Sequence, residues 1–242
     1  MSDLRIDYSD LTGLVDEGVR QSEEKKRRKA RARRLPLRAA RAGGFLALLA
    51  VLPFAILIRG GVFAYREWGL GTWPALVLAA LATALLLGRC ASYPTRRFGA
   101  GRGVRKVIIR IAMGVGLAYV AYALVFVASE NVKSAEVQSE YASIHPLLRV
   151  AASALILVDP GSVITDAGRT AEDYFLMGLP TNEASLHFPQ ESGYVHALDL
   201  RTTGRPEWRN RLVEVGFWAL GFHSLRHVGT ADHLHVSLRL PG

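Results

Sequence analysis

Residues 72–88 read TWPALVLAALATALLLG, seventeen positions without one charged side chain. As a helix rising 1.5 Å per residue this run is about 25 Å long, close to the ~30 Å hydrocarbon layer of a bilayer. Trp73 at its start is the kind of residue that sits at a membrane interface. Two similar runs flank it: 43–58 (GGFLALLAVLPFAILI) and 107–128 (VIIRIAMGVGLAYVAYALVFVA). A single apolar helix also fits the core of a soluble protein, but three in so short a stretch point to membrane spans. Pro53 is tolerable inside a span. Arg59 and Arg110 lie near span ends, where long basic side chains reach the interface; the first run can also continue to Tyr65 with a break at Gly60-Gly61.

Outward from these spans the chain changes character. The whole sequence has 242 residues, a net charge of +9 and 50% hydrophobic content. From residue 130 onward, however, 9 Lys and Arg face 13 Asp and Glu, so the excess positive charge lies beside the spans. Residues 25–41 (KKRRKARARRLPLRAAR) and the loop 89–106, with Arg89, Arg96, Arg97, Arg102, Arg105 and Lys106, are both basic; the loop 59–71 has only Arg59 and Arg66. This placement fits membrane orientation and anionic headgroups rather than nucleic acid. It predicts a cytoplasmic tail (1–42), three transmembrane helices within 43–129 and a C-terminal part outside the inner, cytoplasmic membrane. The basic tail is expected to serve as a retention signal or to dock an anionic lipid or a cytoplasmic protein. The first 42 residues are too polar for a cleavable signal peptide.

The C-terminal part reads as a small α+β domain with an antiparallel sheet. Residues 130–144 are expected to be a connector, entering a helix around 141–153. A short strand at 162–166 and a helical segment at 170–178 follow. Residues 194–200 alternate as a strand with Tyr194, His196 and Leu198 on one face and Val195, Ala197 and Asp199 on the other. Pro206 and Gly221 bound a helix at 206–220, in which Trp208, Phe217 and Trp218 are expected in the core. Two strands, 222–228 and 233–239, end the chain.

Cys90 is the only cysteine, so any metal site must use His, Asp and Glu. All seven histidines, at 145, 187, 196, 223, 227, 233 and 235, lie in the C-terminal part. On a strand, His233 and His235 share a face about 7 Å apart. With Asp199 they compose a candidate three-ligand zinc site with an open position for water. His145 reads as a helix-end polar group, and His223 and His227 as solvent-facing strand positions. Asp232 orients His233 or shapes the turn, and Tyr194 with 188–193 is a candidate groove wall.

The ordered series Ile164-Thr165-Asp166-Ala167-Gly168-Arg169-Thr170, Ser185-Leu186-His187, Ala197-Leu198-Asp199 and Asp232-His233-Leu234-His235-Val236 resembles the LAS superfamily of zinc peptidases. That group includes lysostaphin-type enzymes, D-Ala-D-Ala peptidases and sonic-hedgehog-type domains. The ending looks most like penicillin-insensitive murein endopeptidases. The resemblance covers 145–242 and implies that His187, Asp199 and His235 bind zinc, that His233 is the general base, and that Arg169 grips a carboxylate or polarises the scissile carbonyl. It implies hydrolysis of peptide bonds, those of peptidoglycan stems containing D-amino acids, by water activated on zinc. Two departures stand out. The interval from His187 to Asp199 exceeds that of the family motif S-x-H-x-x-G-x-A-x-D, so 187–193 must loop out as an insertion, and Val195 replaces the motif's Gly. His196 is the rival first ligand. Without either, the domain is a degenerate relative that tethers wall material or a partner protein. A channel or transporter subunit is disfavoured, since the spans offer few polar groups.

Overall fold

The computed structural model describes residues 51–229 and 232–241 apart from 98 and 100, together with the isolated positions 20, 22, 25, 40, 43 and 44. Most of the basic block 25–41 and most of residues 43–50 therefore lie outside the described residues. Val51–Gly242 forms one compact unit.

Three helices lead the described chain. α1 covers residues 51–66, α2 Thr72–Arg97 and α3 Arg102–Val125. Thr72–Ser92 and Arg102–Val125 are long and apolar enough to cross a membrane, with mean hydropathy 1.9 in each. A core helix would bury such a surface, yet only 22% and 6% of these two segments is buried. Val77, Leu81, Leu85, Ile111, Val115 and Leu117 instead point outward. α1 differs from expectation. It runs through Gly60-Gly61 without a break, and Leu57, Ile58, Val62, Ala64 and Tyr65 are buried in the core. At Gly61 a Cβ would lie 2.5 Å from Leu147 Cδ2, which accounts for the glycine there.

Residues 130–144, expected as a connector, are folded. They contain α4 (Ala135–Glu140), capped by Ser134, and single 3-10 turns on either side. Asn131 donates to the carbonyls of Pro160 and Ser162 at 2.8 and 2.9 Å. α5 (Pro146–Val158) follows, with Pro146 in its first turn and His145 Nδ1 accepting from the Leu147 amide. α5 is nearly all apolar, and its first eight residues are buried.

The last turn of α3 leaves carbonyls without helical partners. The C-terminal part supplies them. Tyr141 Oη donates to Ala123 O at 2.9 Å and Arg149 Nη1 donates to Leu124 O, while just beyond the helix Gln138 Nε2 donates to Val127 O at 3.0 Å. These contacts seat the α+β domain directly on the end of α3.

The sheet comprises β1 (Ile164–Asp166), β2 (Ala197–Arg201), β3 (His223–His227) and β4 (His233–Ser237), in the antiparallel order β1-β2-β4-β3. α6 (Ala171–Leu176) is opened by a reciprocal capping box between Thr170 and Asp173. α7 (Glu207–Ala219) buries Asn210, Val213 and Phe217. Trp208 and Trp218, expected in the core with Phe217, lie on the opposite side of α7 and are exposed. Helical periodicity separates them from Phe217: 210, 213 and 217 share one face, and 208 and 218 fall on the other.

Candidate metal centre

The site begins with a chain reversal. After His187 the backbone makes a closed loop: Gln190 N donates to Tyr194 O, Gly193 N to Gln190 O, and His196 N to Leu186 O at 2.8 Å. Gln190 Nε2 adds bonds to the carbonyls of Ser185 and Phe188. Gly193 has φ 79°, a left-handed turn position suited to glycine. Residues 186 and 196 thus meet across the loop, and the long interval between His187 and Asp199 is taken up by it. On its other side His187 O accepts from the Arg169 amide at 2.8 Å, which ties the histidine to the end of β1.

Asp199 and His235 come together for a simpler reason. They are register partners across β2 and β4, while Arg201 pairs with His233 one step further along the same face. His187 Nε2, His235 Nδ1 and Asp199 Oδ1 then form a triangle with sides of 3.2, 2.9 and 3.4 Å. Ligands around a tetrahedral zinc at 2.0–2.1 Å stand about 3.3 Å apart, so the triangle has the size of one tetrahedral face. His187 and Asp199 are only 4% and 5% exposed.

Proton counting also favours a cation. His187 Nδ1 lies 2.6 Å from Ala167 O, a carbonyl that can only accept, so the neutral ring carries its proton there. Its Nε2 then faces the centre with a lone pair, as does Asp199 Oδ1. Only His235 Nδ1–H remains to serve three converging atoms. Either an extra proton or a metal ion must fill the gap, and a carbonyl-anchored imidazole is the usual way of presenting a histidine to a metal. Without a metal the proton alternative operates. Burial opposes charge on His187, but Asp199 and Ala167 O outweigh it and raise the histidine's pKa. Burial likewise works against Asp199, yet hydrogen bonds from His187 and His235 hold its carboxyl well below the usual range. The donor set fits zinc.

The remaining predicted residues divide clearly. His233 Nε2 lies 3.6 Å from Asp199 Oδ2, beside the centre. Arg169 is held by Asp166 through Nε at 3.0 Å and Nη2 at 2.5 Å. Asp199, His233, Arg169 and Asp166 all line a cleft of about 610 Å³ with Lys133, Glu140 and Arg201. His196 is not part of the centre. It is fully buried on the other side of the strand, with Nε2 2.8 Å from Ser192 Oγ and its ring 4.7 Å from that of His145. Burial pushes its pKa down to about 4 and that of His145 to about 2. His145 caps α5 as expected, and its Nε2 also meets Thr72 Oγ1 at 2.9 Å, linking the domain to α2. Tyr194 turns toward His145 and Trp73. Asp232 shapes the hairpin, accepting from Arg226 Nε at 2.7 Å and Thr202 Oγ1 at 2.5 Å.

Two residues near the centre escaped the sequence reading. His227 is exposed, as expected of a solvent-facing strand position, and it also stacks on His233 with ring centroids 4.7 Å apart. The hairpin register, which pairs His227 with His233, is the signal that locates it. Glu140 reaches from α4 to the Gly168 amide at 3.2 Å, and burial raises its pKa. No sequence motif marks that contact. Comparison with protein-family models, curated proteins and solved structures finds no match to this chain.

Proposed function

We propose that the protein is a membrane-anchored zinc peptidase that hydrolyses the stem peptides of peptidoglycan. The observation that carries this reading is the loop from His187 to His196. It removes the main departure from the LAS-type pattern by bringing His187 to Asp199 and His235 despite their separation in sequence. In this reading His187, Asp199 and His235 hold zinc, which supplies Lewis-acid activation of water and of a peptide carbonyl. His233, beside Asp199 at the cleft, accepts and returns the proton. Arg169, fixed in direction by Asp166, presents a permanent positive charge to a substrate carboxylate or to the scissile carbonyl.

The membrane part gives this chemistry a location. In this reading the apolar run 43–58 of the sequence serves as a third span before α2 and α3. The basic tail and the 89–106 loop then lie in the cytoplasm, and the domain faces the wall across the inner membrane. The test is digestion of purified muropeptides by the full chain in detergent micelles. The wild type should release cleaved stems; His235→Ala and Asp199→Ala should not. His233→Ala should retain zinc but lower kcat. Saturable binding of muropeptides with no cleavage would replace this reading with the wall-tethering one.

A further inference from the structure

A second cleft, of about 510 Å³, lies away from the metal centre. Arg59, Arg66, Trp218, Gly221, His223 and Arg239 contribute to its lining, and no carboxylate does. Among the described residues neither Arg59 nor Arg239 has an ion-pair partner, and both are exposed. Arg66 meets Glu67 at 3.7 Å, outside the lining, and its Nε is buried without a hydrogen-bond partner. Gly221 backs directly on the Arg59 guanidinium, where an added Cβ would lie 2.1 Å from Nη1. Arginines gathered around a cleft that no carboxylate lines make a site for an anion.

Its position narrows the choice of anion. Gly60 and Gly61, next to Arg59, face Ala79 of α2, whose Cβ would lie 4.0 and 3.5 Å from a Cβ added at either position. Ala79 is about 10 Å along the helix from Thr72, where the apolar segment begins. A long arginine stem bridges much of that depth, so the guanidinium lies near the headgroup boundary. The helix beside the cleft adds an independent observation. Trp208, Leu212, Val215 and Trp218 are all exposed and recur at spacings of three and four on one side of α7. Both ends of α7 rest on elements next to the membrane helices. Arg205 and Arg209 hold Asp159 at the end of α5, beside exposed Leu157 and Val158, and Gly221 abuts α1. An apolar helical face with tryptophans at its ends and arginines nearby suits the lipid–water boundary.

We propose that this cleft binds the phosphate of an anionic phospholipid in the leaflet on which the C-terminal domain rests, with the outward face of α7 lying against the same leaflet. The proposal rests on the membrane placement above and is independent of the peptidase reading. The test uses the full chain in maltoside micelles, with phosphatidylglycerol, phosphatidylcholine or inorganic phosphate added separately. Retained lipid is counted by native mass spectrometry, and thermal unfolding is followed in parallel. Phosphatidylglycerol should be retained in preference and should raise the Tm. Arg59→Gln/Arg239→Gln should bind it about thirtyfold less tightly, at roughly 1 kcal/mol per basic residue. Arg239→Gln alone, at an exposed position, keeps the test valid if the double variant misfolds. Equal retention of both lipids, or no effect of either variant, would overturn the proposal. Stabilisation by inorganic phosphate alone would assign a free-anion site instead. Concentration-dependent dimerisation without lipid retention would assign the α7 face to a second copy of the chain. A chain that stays soluble without detergent would defeat the membrane placement itself, whatever its lipid preference.

Discussion

His187 has two ring nitrogens with different partners, and that division organises the centre. Nδ1 is committed to Ala167 O, leaving Nε2 turned toward His235 and Asp199. Asp199→Ala removes the carboxylate that two histidines approach. It should weaken zinc binding at least as much as the ~10–100-fold typical of losing an outer-shell partner, measurable by competition with a chelating dye. His196 and His145 give a separate prediction. Their folded pKa values, about 4 and about 2, lie below that of an unfolded histidine. Between pH 6.5 and 4 the unfolded chain therefore binds more protons than the folded one. Stability from these two groups is present above pH 6.5 and is lost as the pH falls. Thermal unfolding across that range should show a shallower loss in His196→Gln than in the wild type; an unchanged slope would contradict the assignment.

At the scale of elements, the joint between α3 and the domain depends on a few polar side chains. Tyr141→Phe removes the hydroxyl that donates to Ala123 O and should cost about 1 kcal/mol, read from chemical denaturation. Thr170→Ala, at the capping box of α6, should cost about the same. These elements differ in how legible they were. α2, α3 and the four strands follow from runs and alternation that any window of the sequence contains. The ligand face of β2 was equally legible, because period-two alternation puts Asp199 and His196 on opposite sides. Long-range geometry was not legible. The spacing of His187 requires an insertion but does not show that residues 186 and 196 pair across it. Local pattern likewise could not decide that Trp208 and Trp218 stay exposed while Phe217 is buried. Both tryptophans are as apolar as the core demands, and only the packing of α7 on the sheet selects a face. The contact between Glu140 and Gly168 joins segments 28 residues apart and left no local trace.

For the whole molecule, the proposed function requires a fixed relation between the apolar helices and the candidate metal centre. Cys90, the only native cysteine, can be replaced by Ser to provide a clean background. A cysteine at the exposed Glu183 position should then react with a membrane-impermeant maleimide on intact cells. Labelling only after permeabilisation would invert the topology. The domain does not swing on a tether, since Tyr141, Arg149 and His145 tie it to α3 and α2. The candidate centre is therefore held in a fixed position relative to α2 and α3. Everything chemical in this account depends on which histidine joins Asp199 and His235. The most direct measurement is the zinc content of the full chain, purified without chelators, for the wild type, His187→Ala and His196→Ala. One zinc per chain is expected in the wild type and in His196→Ala, and none in His187→Ala. No zinc in the wild type, or zinc lost from His196→Ala but kept in His187→Ala, would contradict it.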